Sequence, residues 1–401
     1  MVTPALQQDK AAFARVEAPC PYFGTCGGCA LQDLAYDDQR ALKRERLQRA
    51  FASLPEAPAV DVAGLEDPWR YRNKAELTFG EAGGALTLGF HAARSFWRVV
   101  DLEDCLLLPE PVMPILRHLR ALAAATGLPA YQSRTHRGFF RYVLVRYSRA
   151  TSRVLLCLMT ASGPREAVEG LARELTVRHP AVTGFSWGVT DRLADIAVPE
   201  RLIHLTGAEH LEEQVGPFHL RVRPLSFLQS ESALADRLYQ ALGRAVEKHS
   251  GGIAWDLYCG IGVAGLYLSK QFRKVYGIDS DPQHLELARL NASLNGVGNI
   301  DFRSGRVEEL LKDRRFWLQE AAPDVIVVDP PRTGLHPQAL SSLLAARPRT
   351  IAYISCNAQT LVRDLASLLS SFPRYRFAEA QAFDMFPQTP HVETLAILHR
   401  R

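Results

Sequence analysis

The sequence predicts an α/β protein: a Rossmann-like C-terminal domain, a central mixed α+β domain and a short cysteine-rich segment before them. Three observations predict it. Apolar runs of strand length (Ile253–Tyr258, Lys274–Ile278, Asp324–Val328, Ile351–Ile354) recur through the last third, separated by helical patterns. Most of these runs end in a residue capable of chemistry, which is where open α/β sheets place ligand-facing groups. The middle of the chain instead mixes short strand-like pieces with only two helical patterns. The expected boundaries are 1–35 for the cysteine segment, 36–225 for the central domain and 226–401 for the C-terminal domain.

At 401 residues and 47% hydrophobic composition, the chain can bury large cores in two or three domains. No apolar run approaches the roughly 18–20 residues of a membrane span. The N-terminus has no charged start followed by an apolar stretch, so a cytoplasmic protein without a membrane partner is expected. A net charge of +4 is weak support for a nucleic-acid partner, because distribution matters more than the total. Seven cysteines in such a protein point to metal or catalysis before disulfides.

Cys20, Cys26 and Cys29 lie within ten residues on a glycine-rich turn and can converge on one soft metal centre. Zinc and an iron–sulfur cluster both want a fourth ligand, for which Cys105 in the loop DLEDCLLLPE is the candidate; Cys157 in VLLCLM reads as core. A helix over Asp37–Ala52 carries Arg40, Lys43, Arg44, Arg46 and Arg49, with Leu42, Leu47 and Phe51 as its buried side. Its basic face suits phosphate or simply solvent. Strands are expected over ALTLGFHA, FWRVVDL, FRYVLVRYS, RVLLCLMT and GFSWGVT, and helices around 111–125 and 165–178. Segment 131–149 holds five arginines, five aromatic residues and no acid, a composition that binds phosphates and stacks splayed bases. Arg134, Arg137, Phe140 and Arg141 are its candidate RNA-binding residues, although strand alternation must turn half of such a run inward.

In the C-terminal domain, Ile253–Tyr258 runs into the turn Cys259-Gly260-Ile261-Gly262, and the next strand ends in Asp279. Glycines admit a ligand close to backbone and the acid can take ribose hydroxyls, as adenosyl and nucleotide cofactors require. The spacing GIGVAG also suits a nicotinamide cofactor. DVIVVDPP ends a strand at Asp329, and its two prolines make a stiff exit without free N–H groups. Cys356 follows the apolar run Ile351–Ile354, where a buried structural cysteine is the plain alternative to a reactive thiol. Glu393, beside Pro390 and His391, is a candidate base or a solvated residue.

Taken together, CGGCALQ (26–32), YRNKAEL (71–77), SFLQSE (226–231), DLYCGIG (256–262), DPPRTG (329–334), SCNAQT (355–360) and DMFPQTPHVE (384–393) resemble the bacterial RNA (uracil-5-)-methyltransferases, in family order and over most of the chain. The cysteine cluster resembles the iron–sulfur members that modify 23S rRNA. Only nineteen residues precede Cys20, too few for the TRAM barrel of one ribosomal branch, so the RlmC-like branch is the nearer match. Two features depart from the family: Asp279 stands where Glu is usual, and Val263 and Ala264 replace the usual residues after the glycine turn.

The resemblance implies a class I methyltransferase fold, S-adenosyl-L-methionine as methyl donor and a 4Fe-4S cluster on Cys20, Cys26, Cys29 and Cys105, with zinc as the other possibility. It implies Cys356 as nucleophile and Glu393 as general base, and Gln229 as a residue reaching both cofactor and target. Asp329 is expected to hold the uracil edge beside the cofactor, and Tyr258, Gly260 and Asp279 to surround the adenosine. The expected product is 5-methyluridine in 23S rRNA, made by a monomer. The T-loop uridine of tRNA is the alternative substrate, a non-catalytic RNA-binding or assembly factor a second alternative, and a nicotinamide-linked oxidoreductase the most distant.

Overall fold

The computed structural model describes residues 4–194, 196–312 and 322–401. They fall into two compact units, each assembled from more than one stretch of chain.

The first unit gathers residues 1–36, 67–214 and 221–225. Its seven-stranded sheet has the order Val99–Asp101, Ala85–His91, Lys74–Ala82, Phe140–Ser148, Arg153–Thr160, Val182–Val189, Arg201–Gly207. All neighbours are antiparallel except Arg153–Thr160 with Val182–Val189, whose parallel pairing is bridged by the helix Arg165–Arg178, the crossover a parallel pair needs. Lys74–Ala82 and Arg201–Gly207 are strands beyond those expected from the sequence; Arg201–Gly207 has no fully buried residue to give it an apolar signature.

The second unit gathers 37–66, 215–220 and 226–401. Residues 37–66 were expected in the central domain, but they join the C-terminal sheet instead. Helix α1 (Tyr36–Phe51) leads into strand β1 (Val60–Ala63), which pairs in parallel with β7 (Tyr375–Phe383), a pairing across more than three hundred residues that no local pattern could announce. The remaining strands are β2 (Ile253–Leu257), β3 (Lys274–Asp279), β4 (Ile300–Ser304), β5 (Val325–Val328), β6 (Thr350–Ser355) and β8 (Glu393–Arg400). The sheet order is β1-β7-β8-β6-β5-β2-β3-β4, parallel throughout except for β8, which runs antiparallel to both neighbours.

Strands β2, β5 and β6 are buried along their whole length, as central parallel strands covered on both faces should be. Trp255, Ile326, Val328, Ile351 and Tyr353 join Leu47 and Phe51 of α1 in one core cluster. At roughly 1.5–3 kcal/mol for each large apolar side chain fully buried, the four residues of β5 alone hold that strand firmly. Rigid strands in this layer fix the groups that leave their C-terminal ends. The sheet is thus a mixed α/β layer, and no helix among the described residues is long and apolar enough to cross a membrane.

Candidate active site

The ends of β5, β6 and β8 bring three of the expected residues together. In the β6–β8 ladder Ser355 pairs with Thr394, so Cys356 leaves β6 beside Glu393, the first residue of β8. Val328 of β5 pairs with Tyr353 of β6, which sets Asp329 one step beyond on the neighbouring strand. Asn357 turns the chain into helix α2 (Ala358–Ser371): its Oδ1 accepts from Gln359 N at 3.1 Å, a normal N-cap. The Asn357 amide also donates to the Arg332 carbonyl at 3.0 Å, and Thr360 Oγ1 donates to the same oxygen at 3.3 Å. SCNAQT therefore clamps DPPRTG. Asp364 completes the clamp by accepting from Leu335 N at 2.8 Å and Tyr353 OH at 2.7 Å.

Charge in this site is poorly solvated. Glu393 is 2% exposed, and burial, then the neighbouring Asp329, push its carboxyl well above the usual range while Arg332 opposes them. Burial pushes Asp329 up to about 7. The Cys356 thiol is raised by burial and by Glu393, whereas the Arg332 guanidinium favours the thiolate by charge and hydrogen bond. His391 is exposed at the surface, and partial cover of its ring and the positive charge of Arg332 and Lys43 lower it, so it is a neutral ring at pH 7. One buried and one half-buried carboxyl, a half-buried thiol and a guanidinium form a constellation suited to moving a proton at a planar substrate.

In the sequence Arg332 is only one letter of a motif; its charge opposite Cys356 and Glu393 is a role the structure adds. The segment carrying Glu393 is itself anchored from a distance. Lys43 of α1, wholly buried, donates from Nζ to Asp384 Oδ1 at 2.5 Å and to the Phe386 carbonyl at 3.2 Å. Gln39 and Gln388 exchange a reciprocal pair of bonds, 2.8 Å from Gln39 Nε2 and 3.0 Å from Gln388 N. Lys43 and Arg40 both belong to the basic face expected of this helix. Lys43 turns inward instead, and Arg40 donates to the Val62 carbonyl at 2.9 Å.

The glycine turn lies where it was expected. Gly260 adopts φ +53° with open space where a Cβ would stand, and Gly262 adopts φ +86°. Tyr258 holds φ +62°, a conformation uncommon outside glycine, and is half-buried. Asp279 accepts from Gly260 N at 2.9 Å and Asp281 N at 2.8 Å. Burial raises its carboxyl, but the His284 hydrogen bond and these backbone donors outweigh it and hold it below the usual range. An ionised acid at a strand end beside an open glycine turn fits an adenosine ribose. Gln229 is buried at 1% exposure, and its neighbour Ser230 donates to the Met385 carbonyl in the Glu393 segment.

In the first unit Cys20, Cys26, Cys29 and Cys105 line one pocket, walled by Phe23 and Phe90. Gly28 N donates to Cys26 Sγ at 3.4 Å, Gln32 bonds the Cys29 thiol, and burial pushes the Cys105 thiol up against the opposing charge of Arg72. As they stand, no three such side chains among the described residues have the geometry of a single-ion site. The four sulfurs nonetheless face one pocket.

The expected RNA contacts divide. Arg134 and Arg137 are exposed. Phe140 is fully buried against Phe79 and Phe139. Arg141 is 2% exposed and spends its guanidinium on the carbonyls of Thr190, Arg192 and Ala194, with its face 4.0 Å from the Tyr131 ring centroid. Phe140 and Arg141 are therefore structural, because the strand starting at Phe140 is buried on both faces over its first seven residues.

Comparison with known proteins follows the same lines. A family model for tRNA (uracil-5-)-methyltransferase matches residues 207–401. An uncharacterised RNA methyltransferase of Halalkalibacterium halodurans is 33% identical over 387 residues, covering 96% of this chain and 83% of its own. One from Enterococcus faecalis is 34% identical, covering 98% and 86%. The crystal structure of Pyrococcus abyssi tRNA (uracil-54, C5)-methyltransferase with S-adenosyl-L-homocysteine superposes with a TM-score of 0.76 at 28% identity, over 96% of this chain and 85% of that one. With two carboxyls and a thiol at three adjacent strand ends and relatives matched over nearly its full length, the chain belongs to the tRNA (uracil-5-)-methyltransferase family and is an RNA methyltransferase.

Proposed function

We propose that the protein methylates carbon 5 of a uridine in 23S rRNA, using S-adenosyl-L-methionine, with Cys356 as nucleophile and Glu393 as general base. The observation that carries the chemistry is the convergence of Cys356, Glu393 and Asp329 at the ends of neighbouring strands. Carbon 5 of uracil is a poor nucleophile. Thiolate addition to carbon 6 turns the ring into an enolate that is nucleophilic at carbon 5.

Cys356 gives its proton to solvent, helped by the Arg332 charge, and its sulfur bonds carbon 6 as the ring's electron pair moves into the enolate. Bound S-adenosyl-L-methionine supplies the methyl group at carbon 5; Gly260, Tyr258 and Asp279 would hold its adenosine, with Gln229 and Asp329 toward the reacting end. Glu393, as carboxylate, then takes the carbon 5 proton, the carbon–sulfur bond breaks, and the thiolate returns. Asp329, half-buried and with its carboxyl pushed up to about 7 by burial, donates to or accepts from the imide edge and so orients the ring. A stacked or paired target must first be flipped out, at a cost of roughly a few kcal/mol.

The cysteine pocket supports the ribosomal assignment and a 4Fe-4S cluster on Cys20, Cys26, Cys29 and Cys105. Four cysteines lining one pocket match the ligand count that a cluster or zinc needs. Methyl transfer moves no net electrons, so such a cluster would stabilise structure or position RNA. The second reading, the T-loop uridine of tRNA, is favoured by the likeness to the tRNA (uracil-54, C5)-methyltransferase.

The test uses 5-fluorouridine-containing RNA and the methyl donor. Fluorine cannot leave as a proton, so the reaction stalls with RNA bonded to protein. A gel-stable adduct with a 23S fragment, lost in Cys356→Ala, is the expected result. An adduct with tRNA alone moves the substrate, and no adduct with either sinks the mechanism.

A further inference from the structure

Two turns of the first unit carry side chains that neither methyl transfer nor the cysteine pocket uses. The turn Ala92–Arg98 joins the strands Ala85–His91 and Val99–Asp101. At its tip Phe96 is 63% exposed and Trp97 56%, adjacent rings that an ordinary surface turn does not leave in water. Facing it is the turn Gln132–Arg137, from which Arg134 lays its guanidinium 4.6 Å from the Trp97 ring centroid. Arg94, Arg98 and Arg137 are exposed beside them. Among the described residues no ion pair is formed by these four arginines, and residues 84–100 and 128–150 contain no acid. The acids that flank the first of these segments in sequence are already engaged: Asp101 with Arg120 and Leu88 N, and Glu81 with Ala130 N.

Both turns are held rather than loose. Ala92 N donates to the Arg98 carbonyl at 2.7 Å, and Ser95 Oγ accepts from Arg98 N at 3.2 Å. The second turn is closed by Gln132 N to the Arg137 carbonyl at 2.8 Å. Gly138, at φ +113°, approaches Ala130 so closely that a Cβ would stand 2.0 Å from its carbonyl oxygen. The cysteine loop buttresses the first turn. Gly27 N donates to the His91 carbonyl at 2.9 Å and Ala93 N to the Thr25 carbonyl at 2.7 Å, forming a bridge between Cys26 and Ala92. A Cβ on Gly27 would come within 2.8 Å of the His91 oxygen, so only glycine permits this approach.

We propose that Phe96, Trp97 and Arg134 form a stacking pad for an unpaired base of the RNA substrate, with Arg94, Arg98 and Arg137 taking the adjacent phosphates. Exposed rings backed by guanidinium and surrounded by uncompensated positive charge match single-stranded RNA, whose every base offers a π-face next to a phosphate. A protein partner would meet the same rings, but four unpaired arginines would then need a dedicated acidic surface. Through the backbone ladder from the Cys26 loop to Ala92, the cysteine segment fixes the height of the pad. The proposal rests on RNA being the substrate.

The experiment uses full-length Cys356→Ala protein, which binds without reacting, and fluorescent oligouridylate of about ten nucleotides alongside a duplex of equal length. Each of Phe96→Ala and Trp97→Ala is expected to weaken single-strand binding roughly ten-fold, leaving duplex affinity and the salt slope unchanged. Arg137→Ala should instead reduce the salt slope by roughly one counterion. An unchanged melting transition of the first unit, followed by calorimetry in every variant, excludes misfolding of the unit that carries the pad. Equal single-strand affinity in the Phe96→Ala/Trp97→Ala double variant overturns the pad, as does an equal loss for duplex. A loss of self-association or of protein binding, with RNA affinity intact, overturns it in favour of a protein contact. The proposed function fails separately, by the absence of the fluorouridine adduct.

Discussion

Glu393 carries more of the proposed chemistry than its sequence position suggests. Its Oε1 is buried and has no hydrogen-bond partner among the described residues, which leaves it able to receive a proton. Burial and Asp329 raise it, and burial raises Cys356 as well; both groups are thus protonated in acid and gain their reactive forms as pH rises. Turnover should therefore climb with pH through neutrality. Glu393→Gln should add, methylate and stop, accumulating a covalent methylated adduct on ordinary uridine RNA, visible by denaturing gel. Normal product release by that variant would remove Glu393 from the base role. Asp256 offers a separate check. Burial holds it near 8, against a Gly265 N–H that favours its ionised form. Its folded pKa lies above the unfolded value, so its contribution to stability is complete in acid and is lost as pH rises toward about 8. Asp256→Asn, whose amide oxygen keeps the Gly265 bond, should gain melting temperature relative to the parent between about pH 5 and about pH 8.5. A constant difference across that range would mean that Asp256 is not buried as an acid.

The reaction centre depends on elements that reach it from far along the chain. Helix α1 secures the segment before β8 through Lys43–Asp384 and Gln39–Gln388, pairs 341 and 349 residues apart. A buried ion pair adds little net stability, yet losing one partner strands the other charge, at about 3–5 kcal/mol. Lys43→Met should lower stability to urea by that amount, and Lys43→Met/Asp384→Leu should recover most of it. If the single variant costs no more than the double, the pair is not desolvated. These long-range pairs also mark where the sequence stops being readable. Asp329, Cys356 and Glu393 could be found because each ends or begins an apolar run in a local motif. Lys43 could not, because its run of basic neighbours is equally compatible with solvent. Arg141 misled for a related reason: its three carbonyl acceptors lie about fifty residues on, so composition alone placed it on the surface. The grouping of 37–66 with the C-terminal sheet was hidden by the same kind of distance.

At the scale of the whole molecule the chain builds two cores, and their dependence on the cysteines differs. The second unit closes around a continuous apolar cluster of β2, β5, β6 and α1 residues and owes nothing to cysteine ligands. In the first, the segment Cys20–Cys29 has no core of its own beyond Ala30, Leu31 and Leu34, and is tied down by Lys10 to the Ala30 carbonyl at 2.9 Å, Cys20 N to Gln32 and the Cys26–Ala92 bridge. Burial pushes Cys26 up to about 11 and Cys29 up to about 12, so these two thiols stay protonated unless a positive centre ionises them. Binding of the proposed cluster would be folding free energy for this segment. Calorimetry of anaerobically purified protein should resolve two transitions, since units with separate cores melt separately. Cys29→Ser should abolish visible absorbance and lower one transition while leaving the other, and S-adenosyl-L-homocysteine binding, in place. A single unshifted transition in Cys29→Ser would show that the cysteine pocket holds nothing on which the first unit depends.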